Sequence, residues 1–417
     1  MDGFTNDYGC NYLWLEIINI FFNTNRSTFG ERFFFTLNTY SLKIYTSIAS
    51  LPNSWDDIAI DNAFLQKAYL EVLESSAPTN MQCFYIGIFE ETQLIGVALA
   101  QYLNLNKLES FGERDKCLKT FIRNFIFKNF ASHVLFLGNN MITGQNGYTF
   151  KKKISYKEIS KLLLDCANEI ISYFKNEGTT IHIVSFKDFY ENGAKELKKN
   201  EFASMYEFTA QPNMIFELPN HWKTNDDYVA AFSKKYRDQY KRALKKSDGV
   251  IVKELSLEEI IFNEERIYQL YYYVAKNAPF NTFFLDKKHF STFKKQCGNR
   301  FILCGYFIEN QLIGFHTLLL NGNVLETYFL GYDEQIQKEK MLYLNMLYNM
   351  TKFGIENQFE KILFGRTALE IKSSIGAAPI LMSGFIYHNN KFINRFIDKI
   401  FPKLEPTLVW QQRHPFK

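Results

Sequence analysis

Residues 84–99 read FYIGIFEETQLIGVAL and residues 302–317 read ILCGYFIENQLIGFHT, a match at a constant offset of 218. Seven of the sixteen positions are identical: Gly87/Gly305, Phe89/Phe307, Glu91/Glu309, Gln93/Gln311, Leu94/Leu312, Ile95/Ile313 and Gly96/Gly314. An internal repeat constrains a fold strongly, because both copies must serve one supersecondary unit. Each copy is an apolar run, a short polar turn (Glu90-Glu91-Thr92-Gln93 or Glu309-Asn310-Gln311) and a second apolar run. That pattern predicts a β-hairpin whose strands are buried on both faces. Two such hairpins half a chain apart predict two related lobes.

The 417 residues leave room for two lobes of about 200 residues each. A hydrophobic share of 47% against 22% charged residues supplies the two cores this requires. A net charge of +4 is too small to argue for nucleic-acid binding from the total alone. The six cysteines (Cys10, Cys83, Cys117, Cys166, Cys297 and Cys304) form no C-x-x-C pair and no zinc pattern with histidine, so reduced thiols and no metal are expected. The most apolar early stretch, Trp14–Phe22, contains Glu16 and lacks the flanks of a signal peptide. It is also too short to span a bilayer. The expectation is a cytoplasmic protein without a transmembrane segment, able at most to dock on a membrane surface.

The predicted elements repeat in order. The first half reads as a helix from Asp61 or Asn62 to Glu74, the hairpin, an inserted stretch over 104–130 and a strand at His133–Gly138. A polar loop at Asn139–Asn146 then leads to a long helix from Ser155 to about Asn176, a strand over Thr179–Phe186 and a short helix over Asp188–Lys199. The second half opens on a helix at Asp226–Lys246 with Thr224 as N-cap. It continues with helices over 257–277 and 286–297, the hairpin, a strand at Val324–Gly331, a helix at Glu334–Glu356 and a strand at Phe359–Phe364. This succession is α+β and not a doubly wound sheet. The join falls near Pro219-Asn220, which sets the expected lobes at 1–219 and 220–417.

Several residues invite a chemical reading, each beside a plainer one. His316 lies in a strand apolar on both faces, as a base or as a packed core histidine. Glu326 and Tyr328 share a strand face by the period of two, a carboxylate and a phenol that could move a proton off an amine and onto a leaving group. Asp333 closes the same strand as a substrate ligand. Arg366 and Lys372 would bind carboxylate or phosphate in a cleft, and are ordinary surface residues outside one. Lys241 and Arg242 belong to a basic run whose helix carries the apolar stripe Val229, Phe232, Tyr236, Tyr240, Leu244. The run is either a solvated face or a surface for a phosphate-rich partner.

The order and spacing of these stretches, with SKKYRDQYKRALKKSDGVIV (233–252), NQLIGFHTLLL (310–320), LETYFLGYD (325–333) and FGRTALEIKSSIG (364–376), resemble the GNAT acyltransferase fold in its duplicated, FemABX-like branch. The resemblance covers residues 50–400. It implies two GNAT-like lobes and transfer of an acyl or aminoacyl group from a thioester or aminoacyl ester to a small-molecule amine. The donor would be acyl-CoA or another acyl thioester, with no metal. It places Phe280 in the acceptor loop and raises Lys372 above the other lysines. Gly144, Gln145 and Gly147 are the first lobe's nearest match to the family's phosphate-holding loop, while the corresponding stretch of the second lobe, Glu334–Lys340, has no glycine. The second lobe carries the expected chemistry, since His316 stands where the first lobe has Ala98. The partners this allows include an acyl-carrier protein or a tRNA. Two other functions stay open: an aminoacyl-tRNA-dependent transferase of cell-wall peptide synthesis, and a tandem-GNAT binding module without catalysis.

Overall fold

The computed structural model describes residues 40–107, 128–209, 211–278, 281–403 and 410–417. The expected acceptor residue Phe280 and most of the 104–130 insertion lie outside the described residues.

The first half of the chain supplies β1 (Tyr40–Tyr45), α1 (Lys67–Ser76), the hairpin β2 (Met81–Glu90) and β3 (Gln93–Asn104), then β4 (His133–Leu137) and β5 (Tyr148–Phe150). The long helix α2 (Tyr156–Asn176), β6 (Ile183–Tyr190), α3 (Glu191–Lys198), β7 (Tyr206–Thr209) and β8 (Asn213–Glu217) follow. The second half supplies α4 (Asn225–Ala231), α5 (Lys234–Lys246), β9 (Ile251–Glu254), α6 (Leu257–Phe262), α7 (Glu264–Asn277) and α8 (His289–Cys297). Next come the hairpin β10 (Phe301–Ile308) and β11 (Gln311–Asn321), β12 (Val324–Tyr332), α9 (Glu334–Lys340) and α10 (Leu342–Glu356). The chain closes through β13 (Lys361–Gly365), α11 (Leu369–Ser373), β14 (Ala378–Ile380) and β15 (Met382–His388).

One sheet runs β1-β2-β3-β4-β6-β15-β7 and the other, in the same sense, β9-β10-β11-β12-β13-β8-β14. The two orders match position by position, with one parallel pair in each, β4 with β6 and β12 with β13. The sixth strand of each is exchanged. β8, from the end of the first half, lies between β13 and β14, and β15, from the end of the second, lies between β6 and β7. A division at 219/220 therefore separates neither sheet cleanly.

The repeated residues have a shared physical cause. Both hairpins carry an irregularity at equivalent places, Ile88/Phe89 and Tyr306/Phe307. Beside it the Phe ring lies back over the glycine two residues earlier. A Cβ on Gly87 would stand 2.8 Å from Phe89 Cε2 and 3.1 Å from Leu94, and one on Gly305 would stand 2.7 Å from Phe307 Cε2 and 3.0 Å from Leu312. Glycine, phenylalanine and leucine thus recur as one packing unit. The turns use left-handed backbone, Glu91 in the first and Glu309-Asn310 in the second, as two-residue hairpin turns require. Gly305→Ala should destabilise the protein by about 1–3 kcal/mol through overpacking. Urea unfolding measures this, and an unchanged midpoint would mean the ring moves aside freely.

Apolar side chains fill three layers. α2 covers the outer face of the first sheet through Leu162, Cys166 and Ile170, and α10 covers that of the second through Leu347 and Met350. Between the sheets lies a third core from both halves, with Tyr69 and Leu70 of α1 packed near Tyr271 of α7 and Phe290 and Phe293 of α8. The expected caps are present: Ser155 forms a capping box with Glu158, and Thr224 with Asp227. The helix expected over Asp226–Lys246 is broken at Phe232, whose ψ of 140° leaves the helix. Phe232 instead stacks on Phe416, and the Ser233 N–H donates to Pro415 O. The break rotates α5, so that Ala243 is buried and Leu244, expected in the stripe, is 46% exposed.

Candidate active site

β12 and β13 pair only over Val324–Glu326 with Lys361–Leu363. Beyond that point β12 stays with β11, carrying an extra residue where His316 faces Leu330 and Leu318 faces Thr327. A bulge of this kind bends the strand and frees backbone groups from the ladder. β13 meanwhile turns away at Gly365, whose φ is 70°. The wedge between the diverging strands is a cavity of about 570 Å³. Its lining comes from both faces of the sheet. Tyr328 and Phe329 belong to the core between the sheets, whereas Leu330 and Tyr332 pack under α10. The first half of the chain also reaches in, through Met141, Ile142 and Thr143 of the Asn139–Asn146 loop.

Glu326 sits at the vertex, the last β12 residue paired with β13. It is 3% exposed and receives a single long hydrogen bond, from Asn321 Nδ2 at 3.4 Å. Burial pushes its carboxyl up to about 7. Tyr328 lines the same space, and its hydroxyl lies 3.1 Å from His289 Nε2. His289 Nδ1 lies 3.2 Å from Ser76 O, a carbonyl that can only accept, so Nδ1 carries the proton and Nε2 accepts from the Tyr328 hydroxyl. Burial holds the His289 imidazole down to about 4, hence neutral. This chain crosses from α1 through α8 to β12 and fixes the Tyr328 rotamer from behind.

Lys372 is buried and donates to Phe364 O at 2.7 Å, Arg366 O at 2.6 Å and Gly365 O at 3.4 Å. It holds a turn in which Thr367 and Ala368 both adopt positive φ, 68° and 47°. A β-branched residue there is a strained one that its surroundings must hold. Desolvation lowers the Lys372 ammonium to about 7. Arg366 borders the cavity, but its guanidinium is already engaged, Nη2 with Asp188 and Nε with Gln211 O at 3.0 Å. Asp188 also pairs with Lys187 at 2.7 Å, and Lys187 donates to Asn139 O and Ile142 O. The cluster thereby ties the Asn139–Asn146 loop to the strand exit that carries Arg366.

The other expected residues lie elsewhere. His316 is 2% exposed, faces Tyr306 with Nδ1 3.0 Å from the hydroxyl, and does not border the cavity. Burial pushes its imidazole down to about 3. Asp333 caps α9 through Gln335 N and pairs with Arg266 at 2.7 Å. Gly144 and Gln145 belong to the loop that reaches the cavity and Gly147 follows it, and none of the three lines the cavity. A Cβ on Gly147 would stand 2.9 Å from Gly138 Cα, so this glycine serves a close backbone crossing. Lys241 and Arg242 are exposed on α5, outside the lining. The sequence carried no mark of His289, Ser76 or Asp188. Two further lining residues did have a signal: Thr143 opens the Thr143–Gly147 stretch and Asn281 lies in the loop of the suspected acceptor residue.

No family model matches the sequence, and no curated protein does. Among solved structures the chain is similar to FemX, with a TM-score of 0.53 and 13% identity over 84% of this chain and 98% of that one. A tandem GNAT protein from the clavulanic acid biosynthesis pathway aligns at a TM-score of 0.47 and 9% identity, over 83% of this chain and 98% of its own. L-PGS from Bacillus licheniformis aligns at 0.44 and 12%, over 81% and 96%. The chain shares the fold of FemX, and its own two sheets are built on one plan.

Proposed function

We propose that the protein is an N-acyltransferase of the GNAT kind, moving an acyl group from a thioester to an amine at the β12/β13 wedge. The observation that carries this reading is Glu326, a nearly unpartnered buried carboxylate at the vertex where two interior strands of the sheet splay beside a bulge, with Tyr328 lining the same cavity. A carboxyl group near 7 is matched to taking a proton from an amine at neutral pH. The amine nitrogen would attack the carbonyl carbon, forming a C–N bond. Glu326 would accept the proton that nitrogen loses, the C–S bond would break, and the Glu326 carboxyl would return that proton to the leaving thiolate, which departs as thiol. Backbone N–H groups freed by the bulge would hold the oxyanion. The second lobe would carry the chemistry and the first would close the cavity with its loop.

The donor's carrier would be anionic. Lys234, Lys235, Lys241, Arg242, Lys245 and Lys246 are exposed on α5 and form no ion pair with any described carboxylate. Such a face suits the phosphates of CoA, an acyl-carrier protein or a tRNA, and it is equally suited to an anionic membrane surface. No helix among the described residues is long and apolar enough to cross a membrane, and no described group of His, Cys, Asp or Glu could hold a metal ion.

A thermal-shift panel of acyl-CoAs, acyl-carrier proteins and charged tRNA tests the reading. A donor at a hundred times its dissociation constant should add roughly 2.7 kcal/mol to stability. With that donor, Glu326→Gln should lower kcat by about 10²–10⁴ while the shift persists. A panel with no shift would favour a binding module that has lost its donor site. A full-rate Gln variant would remove Glu326 from the mechanism.

A further inference from the structure

The cavity has two unlike sides. Under α10 its wall is Tyr343, Leu347 and Met350, spaced by four and three residues, joined by Ile371 of α11 and Leu330 and Tyr332 of β12. These α10 positions run about 10 Å along the helix at 1.5 Å per residue. The ionisable side chains bordering the whole cavity, among the described residues, are Glu326, Arg366, Lys372 and four phenols. Glu326 is the one carboxylate in that set. Arg366 and Lys372 are both cations, and both are already held, by Asp188 and by three backbone carbonyls.

Resting on the reading above, we infer that the donated acyl group is an uncharged apolar chain lying along Tyr343, Leu347 and Met350, and not an α-aminoacyl group. A single carboxylate cannot serve two ammonium groups. If Glu326 receives the acceptor amine, an aminoacyl donor would bring a second ammonium into an apolar slot in a cavity whose lining offers no further carboxylate. A buried charge without a partner is strongly disfavoured. An alkyl or aryl chain meets no such penalty there, and each buried methylene adds to its binding. The bond changes are those of the transfer already described: C–S breaks, C–N forms, and the proton lost by nitrogen ends on sulfur.

Calorimetric titration of the full chain with pantetheine thioesters tests this without relying on turnover. The series is acetyl, butyryl and octanoyl, with isobutyryl and alanyl as a pair differing only by a methyl against an ammonium. Affinity should rise roughly fourfold per methylene along the series. Isobutyryl should bind well and alanyl at least tenfold more weakly. Leu347→Trp should flatten the series. Because Leu347 is deeply buried, Ile371→Trp, at a half-buried position, serves as a second block, and circular dichroism confirms that each variant is folded. A flat series in the unmodified protein, or alanyl binding as tightly as isobutyryl, would overturn the inference and leave the transferase reading standing. If no thioester of any length binds, the thioester reading falls and the inference falls with it.

Discussion

At pH 8 the Glu326→Gln variant should unfold at a higher temperature than the unmodified protein, and below about pH 5 the two should coincide. The cause is the burial of Glu326, which lifts its carboxyl from the ordinary 4.5 to about 7 in the folded protein. As pH rises through 4.5 the unfolded chain gives up this proton first, while the folded chain keeps it. Folding is therefore linked to proton uptake over that interval, and stability falls until the folded carboxyl also ionises near 7. Above 7 the deficit is constant. An interval of this width corresponds to roughly 3 kcal/mol. A glutamine has no charge to desolvate and can still accept from Asn321, so the variant escapes the deficit. Lys372 titrates in the same region, but it does so in both proteins and cancels in the comparison. The same substitution should abolish the acid limb near pH 7 in the rate profile, because the ionised carboxylate is the base. A group kept at a cost in stability and needed for turnover is what a catalytic carboxylate in a desolvated cleft should be. If the two proteins unfold alike at every pH, Glu326 is not held in a strained state and loses its claim to be the base.

Fragments 1–219 and 220–417, prepared separately, should show no cooperative thermal transition, and mixing them should restore one. Each half lacks a strand that its own sheet requires. Without β15 the first sheet has a gap between β6 and β7, and without β8 the second has none of the pairing that joins β14 to β13. Each fragment would also expose its side of the core between the sheets, where Tyr69 and Leu70 meet Phe290 and Phe293. Near-ultraviolet circular dichroism and size-exclusion chromatography would follow the result. A cooperative transition in either fragment alone would show that a lobe can stand without the exchanged strand.

Much of the scaffold was legible in the sequence for local reasons. The hairpins were readable because Gly87, Phe89 and Leu94 pack within one unit and so recur together as Gly305, Phe307 and Leu312. The helix starts at Ser155 and Thr224 were readable because a capping box closes within four residues. The fold class followed from element order, and two α+β lobes of one plan, with the fold of FemX, are present. The misplacements concern contacts between distant segments. The break at Phe232 depends on Phe416, and with it the exposure of Leu244. Arg366 appeared free to bind a substrate because its partner Asp188 lies in the other half of the chain. His289 had no neighbour in sequence to mark it, since Ser76 and Tyr328 reach it from other elements.

By itself the sequence determined what periodicity and short-range packing can encode: two copies of one α+β unit, their hairpins, their capped helices, and Glu326 and Tyr328 two residues apart on one strand. Only the tertiary structure decided which strands change sheets, and where β12 and β13 part to open the cavity. It also decided that Glu326 borders that space while His316 turns away to Tyr306. Burial and pairing across distant parts of the chain, which no local pattern records, set those outcomes and the charge states that follow from them.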